Sequence, residues 1–565
     1  MFASLSLLGT VVVLILCSLV KVLIKEFHLH WLPEAGGCIL VGATVGAILT
    51  TQMPHFVDLG SFNGDLFLYI MLPAIIFHAS LSIDKRQLWL LLFPILMFAV
   101  LGTILSAIIS GFVVHYLTKA MSITTSIPIL DSMIFGSLIS SIDPVATLSI
   151  LQSMGVSNTN MLYVVVFGES ILNDGVSIAM FESLVMHLDG TSKSLDHDLI
   201  MSSTKHFCKV STISIAIGLF AGVLCTIYFW ALKGRHGPVA EVATFFCFAL
   251  AAYYSADGLG ASGIVSIMMA GLFMDIYVRG KRLSEADARH SLLQQDPDHS
   301  MNFSAINAAT VAERESLNPP IPSFSFPSYT DFRVMFSGVG HISNKAKVHV
   351  GFVADVLANL METAIFAYLG LFLFSNKKWD DIPLTAIGIT SCITSRIVMI
   401  GIISLLVNVG TSLQEVLSRI LGFSDLSRPI PLDENQTTTY IDRNMQVVLL
   451  FSGVRGAVSL ALAENIPLYD AVTKHGSQYK SALKAMTSAS IIFTVFVFGA
   501  STYYTLKRQE QRMNRCRDEE VDDLTLTSTR RSGANALMTS LLDSNSLELR
   551  EEERDTPPWV NSAQV

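Results

Sequence analysis

The chain has 565 residues, of which 51% are hydrophobic and 15% charged, with a formal net charge of −9 and a mean hydropathy of +0.53. A water-soluble protein of this length carries about 25% charge and divides into several cores, so these values exclude an ordinary soluble enzyme and point to a chain that crosses a membrane many times. Seven cysteines without a C-x-x-C pair give neither a disulfide framework nor a zinc site; Cys17, Cys225, Cys247 and Cys392 lie inside apolar segments and read as small packing residues.

Apolar runs near 5–25, 36–51, 64–82, 88–116, 130–150, 160–186, 208–232, 239–256, 260–278, 347–374, 382–407, 445–466 and 485–506 each reach or approach the ~20 residues that span hydrocarbon. The fold class read from them is an all-α polytopic membrane protein with about thirteen transmembrane helices. The first run lacks a basic leader and continues to Lys21 and Lys25, so it is read as a membrane helix, a cleaved signal peptide being the alternative. An odd number of spans puts the two ends on opposite sides. With the C-terminus cytosolic, the inner loops hold Arg86, Arg235, Arg419, Arg428 and Arg443, whereas the outer loops hold lysines such as Lys119, Lys193 and Lys377; the expected orientation is N-terminus lumenal or exterior, C-terminus cytosolic.

Two segments are not membrane. The connection 280–345 is polar, carries "NPPIPSFSFPS", and is expected to be a long, loosely structured cytosolic loop. The tail 507–565 begins basic and ends acidic, and is expected to be mostly disordered, leaving 1–506 as the transmembrane domain. Its basic start serves as a positive-inside anchor or touches anionic headgroups. The sequons at Asn302 and Asn435 fall in loops placed in the cytosol and read as chance matches.

Among the charges inside spans, six stand out: Asp143, Glu169, Asp174, Glu362, Arg396 and Arg455. Each costs about 3 kcal/mol at a helix centre, on the order of 18 kcal/mol together, so they must pair, face water or neutralise. Four acids against two arginines leave two carboxylates without a fixed partner, as a cation or proton site requires. At 100° per residue, Glu169 and Asn173 lie about 40° apart on one helix face, while Asp174 is about 140° from Glu169. Glu169 is therefore assigned to an arginine, Arg396 being the first choice, and Asp174 to a hydrated cavity, where it can hold a proton or a small cation but hardly both.

In "SSIDPVATL" Pro144 lacks an N–H and crowds the preceding turn, so the helix is expected to break near Ile142 and Asp143. In "FSGVRGAVSL" Gly453 and Gly456 flank Arg455 and interrupt a second run. Broken backbone within a membrane is tolerated where it lines protein or water. Two interrupted helices, each the penultimate span of a six-helix set, point to an inverted-repeat transporter with its site at the midplane, Arg455 supplying positive charge opposite Asp143. A tight crossing built from small residues is the plainer alternative. His78 reads as a hydrogen-bonded packing residue, Glu362 as a neighbour's counter-charge or a funnel residue, and the methionines of 266–275 as packing. "GES" is not G-x-S-x-G, and neither HExxH nor a paired-Asp protease motif is present, which argues against an intramembrane hydrolase.

The segments "LFLYIMLPAIIFHASLS", "SSIDPVATLSI", "FGESILNDGVSIAM", "METAIFAYLG", "TSRIV" and "FSGVRGAVSLAL" resemble, in this order, the eukaryotic sodium/proton exchangers of the monovalent cation:proton antiporter family (solute carrier family 9-like), in particular the Golgi and endosomal branch. The resemblance runs over 1–507 outside 281–345. It implies an NhaA-like fold of two inverted repeats with crossed discontinuous helices, a homodimer with lipids at its interface, and an elevator-like displacement of a core domain. It further implies Asp174 as the ion- and proton-binding carboxylate for Na⁺ or K⁺, with Asn173 beside it and Asp143 near. Glu169 with Arg396, Arg455 and Glu362 would support the site, with no cofactor and no nucleic acid involved. The Asn-Asp pair goes with electroneutral exchange regulating organelle pH and cation content; an electrogenic antiporter or a cation sensor without net transport is the alternative. Regulatory proteins could bind the tail, whose shortness favours an internal membrane such as Golgi or endosome. Ile142 stands where relatives often carry Thr, and Gly175 where Ala is commoner.

Overall fold

The structure, a computed structural model, describes residues 2–27, 29, 32–52, 67–121, 126–143, 147, 151, 161–188, 197–232, 235, 237–280, 336, 340–375, 382–421, 440–469, 476–509, 511 and 512. Pro144, both sequons, and nearly all of the 280–345 connection and of the tail lie outside them. The chain divides into two units, Met1–Tyr503 and Tyr504–Val565.

Each of the thirteen apolar runs holds helix. In chain order these are α1 (Phe2–Glu26), α2 (Glu34–Gln52), α3 (Phe67–Met71 continuing as Leu72–Ser82) and α4 (Lys85–Leu90, Leu92–Leu96, Met97–Gly102 and Thr103–Ala120 end to end). Then follow α5 (Ile129–Ile139), α6 (Met161–Val185), α7 (His197–Ala231), α8 (Pro238–Gly258) and α9 (Gly263–Met274 continuing as Asp275–Arg279). The last four are α10 (Asn344–Ser375), α11 (Ile382–Leu421), α12 (Arg443–Phe451 and Ala457–Glu464, called α12a and α12b) and α13 (Lys480–Phe493 continuing as Thr494–Phe498). Among the described residues, 9 helices are long and apolar enough to cross a bilayer unbroken, and the remaining spans are short or interrupted. The helices α7 and α11 run to 35 and 40 residues, well past their apolar runs, because helix continues into the polar flanks at no cost to backbone hydrogen bonding.

Local chemistry sets the ends. Asp84 caps α4 by accepting from Arg86 N at 2.9 Å. The turn between α8 and α9 passes through Gly260 at φ +68°, a left-handed conformation that costs glycine little. Glu241, buried at the start of α8, accepts from Ser343 N at 2.9 Å and Ser343 Oγ at 2.6 Å, which fixes where the chain re-enters as α10.

Packing follows a repeat. The helix α1 lies on α2 as α8 lies on α9, α2 packs on α10 as α9 packs on α3, α4 faces α11, and α5 meets α12b. These pairs are what exchanging spans 1–6 with spans 8–13 requires. Small residues allow the close crossings: a Cβ on Gly42 would strike the Ala367 carbonyl, and one on Gly370 the Ile39 carbonyl, so α2 and α10 touch backbone to backbone. On α4 and α5, a Cβ on Gly136 would meet the Ala107 carbonyl in the same way.

This packing predicts that Gly42→Val and Gly370→Val each lower stability by about 2 kcal/mol or more through overpacking. Gly401→Ala, which meets open space, should shift it by under about 1 kcal/mol. Thermal unfolding in detergent, followed by monodisperse elution, measures all three.

Candidate functional site

The site is built on two breaks that cross. The helix α5 ends at Ile139, three residues earlier than Pro144 alone suggests, and Ser141–Asp143 run non-helically beside Ser452–Gly456 of α12. The strands of broken backbone bond to each other: Asp143 N donates to Val454 O at 2.8 Å. Thr147 Oγ1 donates to Ser452 O at 3.3 Å, and the hydroxyls of Ser141 and Ser459 lie 3.0 Å apart. Gly456 sits directly against Asp143, where a Cβ would strike its carboxylate.

The arginines serve this crossing. Arg455 is fully buried and gives Nη1 to Ser140 O at 2.9 Å and Ser141 O at 3.2 Å, the carbonyls left open at the end of α5. Its expected position opposite Asp143 thus becomes a cap on the backbone just before Asp143. Arg396 of α11, also fully buried, makes a two-pronged pair with Glu169 (Nη1–Oε1 2.5 Å, Nη2–Oε2 3.3 Å) and gives Nη2 to Leu449 O at 2.6 Å, in the last turn of α12a. A Cβ on Gly453 would lie 2.7 Å from Arg396 Nε, so only glycine lets α12 come this close.

The helix α6 therefore works on two faces. Glu169 points to Arg396, while Tyr163, Phe167, Ser170, Ile171 and Asp174, spaced i, i+4, i+7, i+8 and i+11, line a cavity of about 520 Å³. Its other walls are the break at Ser141–Asp143, the start of α12b at Gly456–Val458, the end of α3, Arg279 of α9, and Gly351, Ala354, Asp355 and Glu362 of α10. Asp174, Asp143 and Glu362 thus share one cavity, and Ile142 adds an apolar wall but no hydroxyl. Asp174 Oδ1 and both amide atoms of Asn173 are buried with no hydrogen-bond partner among the described residues, as is Arg455 Nη2. Buried polar atoms are otherwise satisfied almost everywhere in proteins, so the orphaned Asp174 oxygen in the cavity wall marks a place for a cation, a proton or water, while Asn173 lies beside it and outside the lining. At Gly175 a Cβ would stand 3.0 Å from Val265 Cγ2 of α9, a tight contact with the end of that side chain.

Two residues at the cavity mouth have a larger place than their sequence suggests. His78 of α3 gives Nε2 to Asp355 Oδ1 at 2.6 Å. Asp355 stands seven residues before Glu362 on the same face of α10, and that spacing was the available signal.

Removing one partner of the buried pair should be far worse than removing both. Glu169→Gln and Arg396→Ala each leave a buried group unpaired at about 3–5 kcal/mol, and are expected to lose most folded protein. The double variant Glu169→Met with Arg396→Met is expected to recover a substantial part of the folded yield, read by size-exclusion chromatography.

The "Sodium/hydrogen exchanger, transmembrane" family matches residues 11–295 and 334–508. Sodium/hydrogen exchanger 8 of Mus musculus is 25% identical over 553 residues, covering 96% of this chain and 78% of the relative. Sodium/hydrogen exchanger 5 of Arabidopsis thaliana is 25% identical over 513 residues, covering 90% and 80%. The sodium proton antiporter MjNhaP1 of Methanocaldococcus jannaschii superimposes with a TM-score of 0.56 at 16% identity over 89% of this chain and 98% of that one, a likeness of fold. With two matched segments that take in every helix from α2 to α13, and the crossed interrupted helices between them, the chain belongs to the sodium/hydrogen exchanger family, a multi-pass membrane protein of NhaA-like fold.

Proposed function

We propose that the chain is an electroneutral antiporter that exchanges Na⁺ or K⁺ for a proton, one for one, with Asp174 as the carrier. The observation that carries this reading is Asp174 itself: a carboxylate in the wall of a cavity, one oxygen of which is buried without a partner among the described residues, next to an Asn173 amide in the same condition. An ionised carboxylate in such a place needs a counter-charge, and a bound cation or a bound proton supplies it. The two compete for the same oxygens, so each departure of one licenses arrival of the other, and the charge on the loaded site is the same in both halves of the cycle.

Alternating access would move the bundle of α4, α5, α6, α11, α12 and α13 against the remaining spans, with Glu169–Arg396 holding α6, α11 and α12a together during the movement. Both arginines are committed to fixed partners, which leaves the titrating role to Asp174 rather than Glu169. The carboxylate oxygen of Asp174, a hard donor, suits a hard monovalent cation. The arginine bias of the loops supports a cytosolic C-terminus, and with it a cavity open to the cytosol. Resemblance to endomembrane relatives supports a Golgi or endosomal location, a homodimer with interfacial lipid, and tail-bound regulatory proteins.

In proteoliposomes, a cation pulse against a pH difference should drive proton flux in the wild type, and Asp174→Asn should reduce it to background while keeping folded yield. Flux should be indifferent to an imposed membrane potential. Near-normal exchange in Asp174→Asn, or flux steered by potential, would contradict the reading.

A further inference from the structure

The charges at the cavity mouth are arranged around one contact. The side chain of Asp355 is 67% exposed and that of His78 28%, and Asp355 Oδ1 stands 2.6 Å from His78 Nε2. Ser82 Oγ, 3.0 Å from the same nitrogen, donates its own proton to His78 O at 2.9 Å. A carboxylate has no proton to give, so at this distance Nε2 carries the hydrogen, whether the imidazole is neutral or charged. Titration of the ring therefore changes the charge of the pair from −1 to 0 without breaking it.

The neighbouring cluster, Lys85 and Arg279 against Asp275, carries one net positive charge, a constant background on which the change at His78 is superposed. Arg279 of α9 gives Nη1 to Asp275 at 3.1 Å, and Asp275 also pairs with Lys85 at the start of α4. From α10, Glu362 stands on the same face as Asp355, about 10 Å deeper along the axis, and Asp143 and Asp174 close the cavity from α5 and α6. An exposed acid at the mouth thus precedes the acids within.

We propose that Asp355 is the residue that collects hydrated monovalent cations at the mouth of the cavity, and that protonation of His78 sets how strongly it does so. The inference rests on the exchanger reading of Asp174. One charge within roughly 10 Å of the path changes local cation concentration about threefold in a partly hydrated cavity. Protons then oppose the cation twice, by occupying Asp174 and by neutralising the mouth.

The test is the apparent KM for Na⁺ or K⁺ supplied on the cavity side of proteoliposomes between pH 6 and pH 8.5. Asp355→Asn is expected to raise KM about threefold across this range with maximal rate unchanged, and Asp355→Glu to restore it. His78→Gln, which keeps an N–H for Asp355, should match the wild type at pH 8.5 and bind about threefold better than the wild type at pH 6. Wild-type KM in Asp355→Asn, or a His78→Gln profile parallel to the wild type, overturns the inference while leaving the exchanger reading standing. A wild type without cation-coupled proton flux overturns both.

Discussion

The protein depends on two interrupted helices that satisfy each other's open backbone. Inside hydrocarbon a broken helix leaves carbonyls and amides with no water to meet them, at several kcal/mol apiece. Here the amide of Asp143 goes to Val454, the carbonyls of Ser140 and Ser141 go to Arg455, and that of Leu449 goes to Arg396. Each guanidinium lies at the C-terminal end of a half-helix, where the aligned peptide dipoles favour positive charge. The repeat symmetry gives this pattern twice, once on α5 and once on α12a.

From that crossing follows the division of labour on α6. An acid fixed to Arg396 and an acid aimed at water lie five residues apart, and the helical pitch alone turns them about 140° from one another. The first is fixed by two-pronged bonding to a guanidinium that also grips α12a. The second faces the cavity with an oxygen unsatisfied among the described residues. A membrane helix can thus carry one buried acid fixed by the fold and, five residues on, a second that faces a cavity.

Much of this was legible in the sequence. Hydrophobic length fixed the thirteen runs, and glycines around Arg455 marked one break. The angle between Glu169 and Asp174 separated a paired acid from a cavity acid, and the pair with Arg396 is present in the structure. What stayed hidden depends on contacts between distant segments. Arg455 bonds backbone carbonyls, which have no signature in a residue list, so sequence could place its charge at the crossing but not its partner. His78 and Asp355 are 277 positions apart, and only the packing of α3 on α10 makes them neighbours. Gly175 stands where relatives more often carry Ala, and its contact with Val265 could not be read from the chain. The lengths of α7 and α11 were underread because hydropathy marks the lipid, not the end of the helix.

The central claim is that one carboxylate holds a proton and a cation in turn. It is tested most directly by adding Na⁺ or K⁺ to weakly buffered, detergent-solubilised protein and counting protons released per cation bound. One proton per cation in the wild type at a pH where the empty site is protonated, and none in Asp174→Asn, is the predicted result. Cation binding without proton release, or equal release from the Asp174→Asn variant, would contradict it.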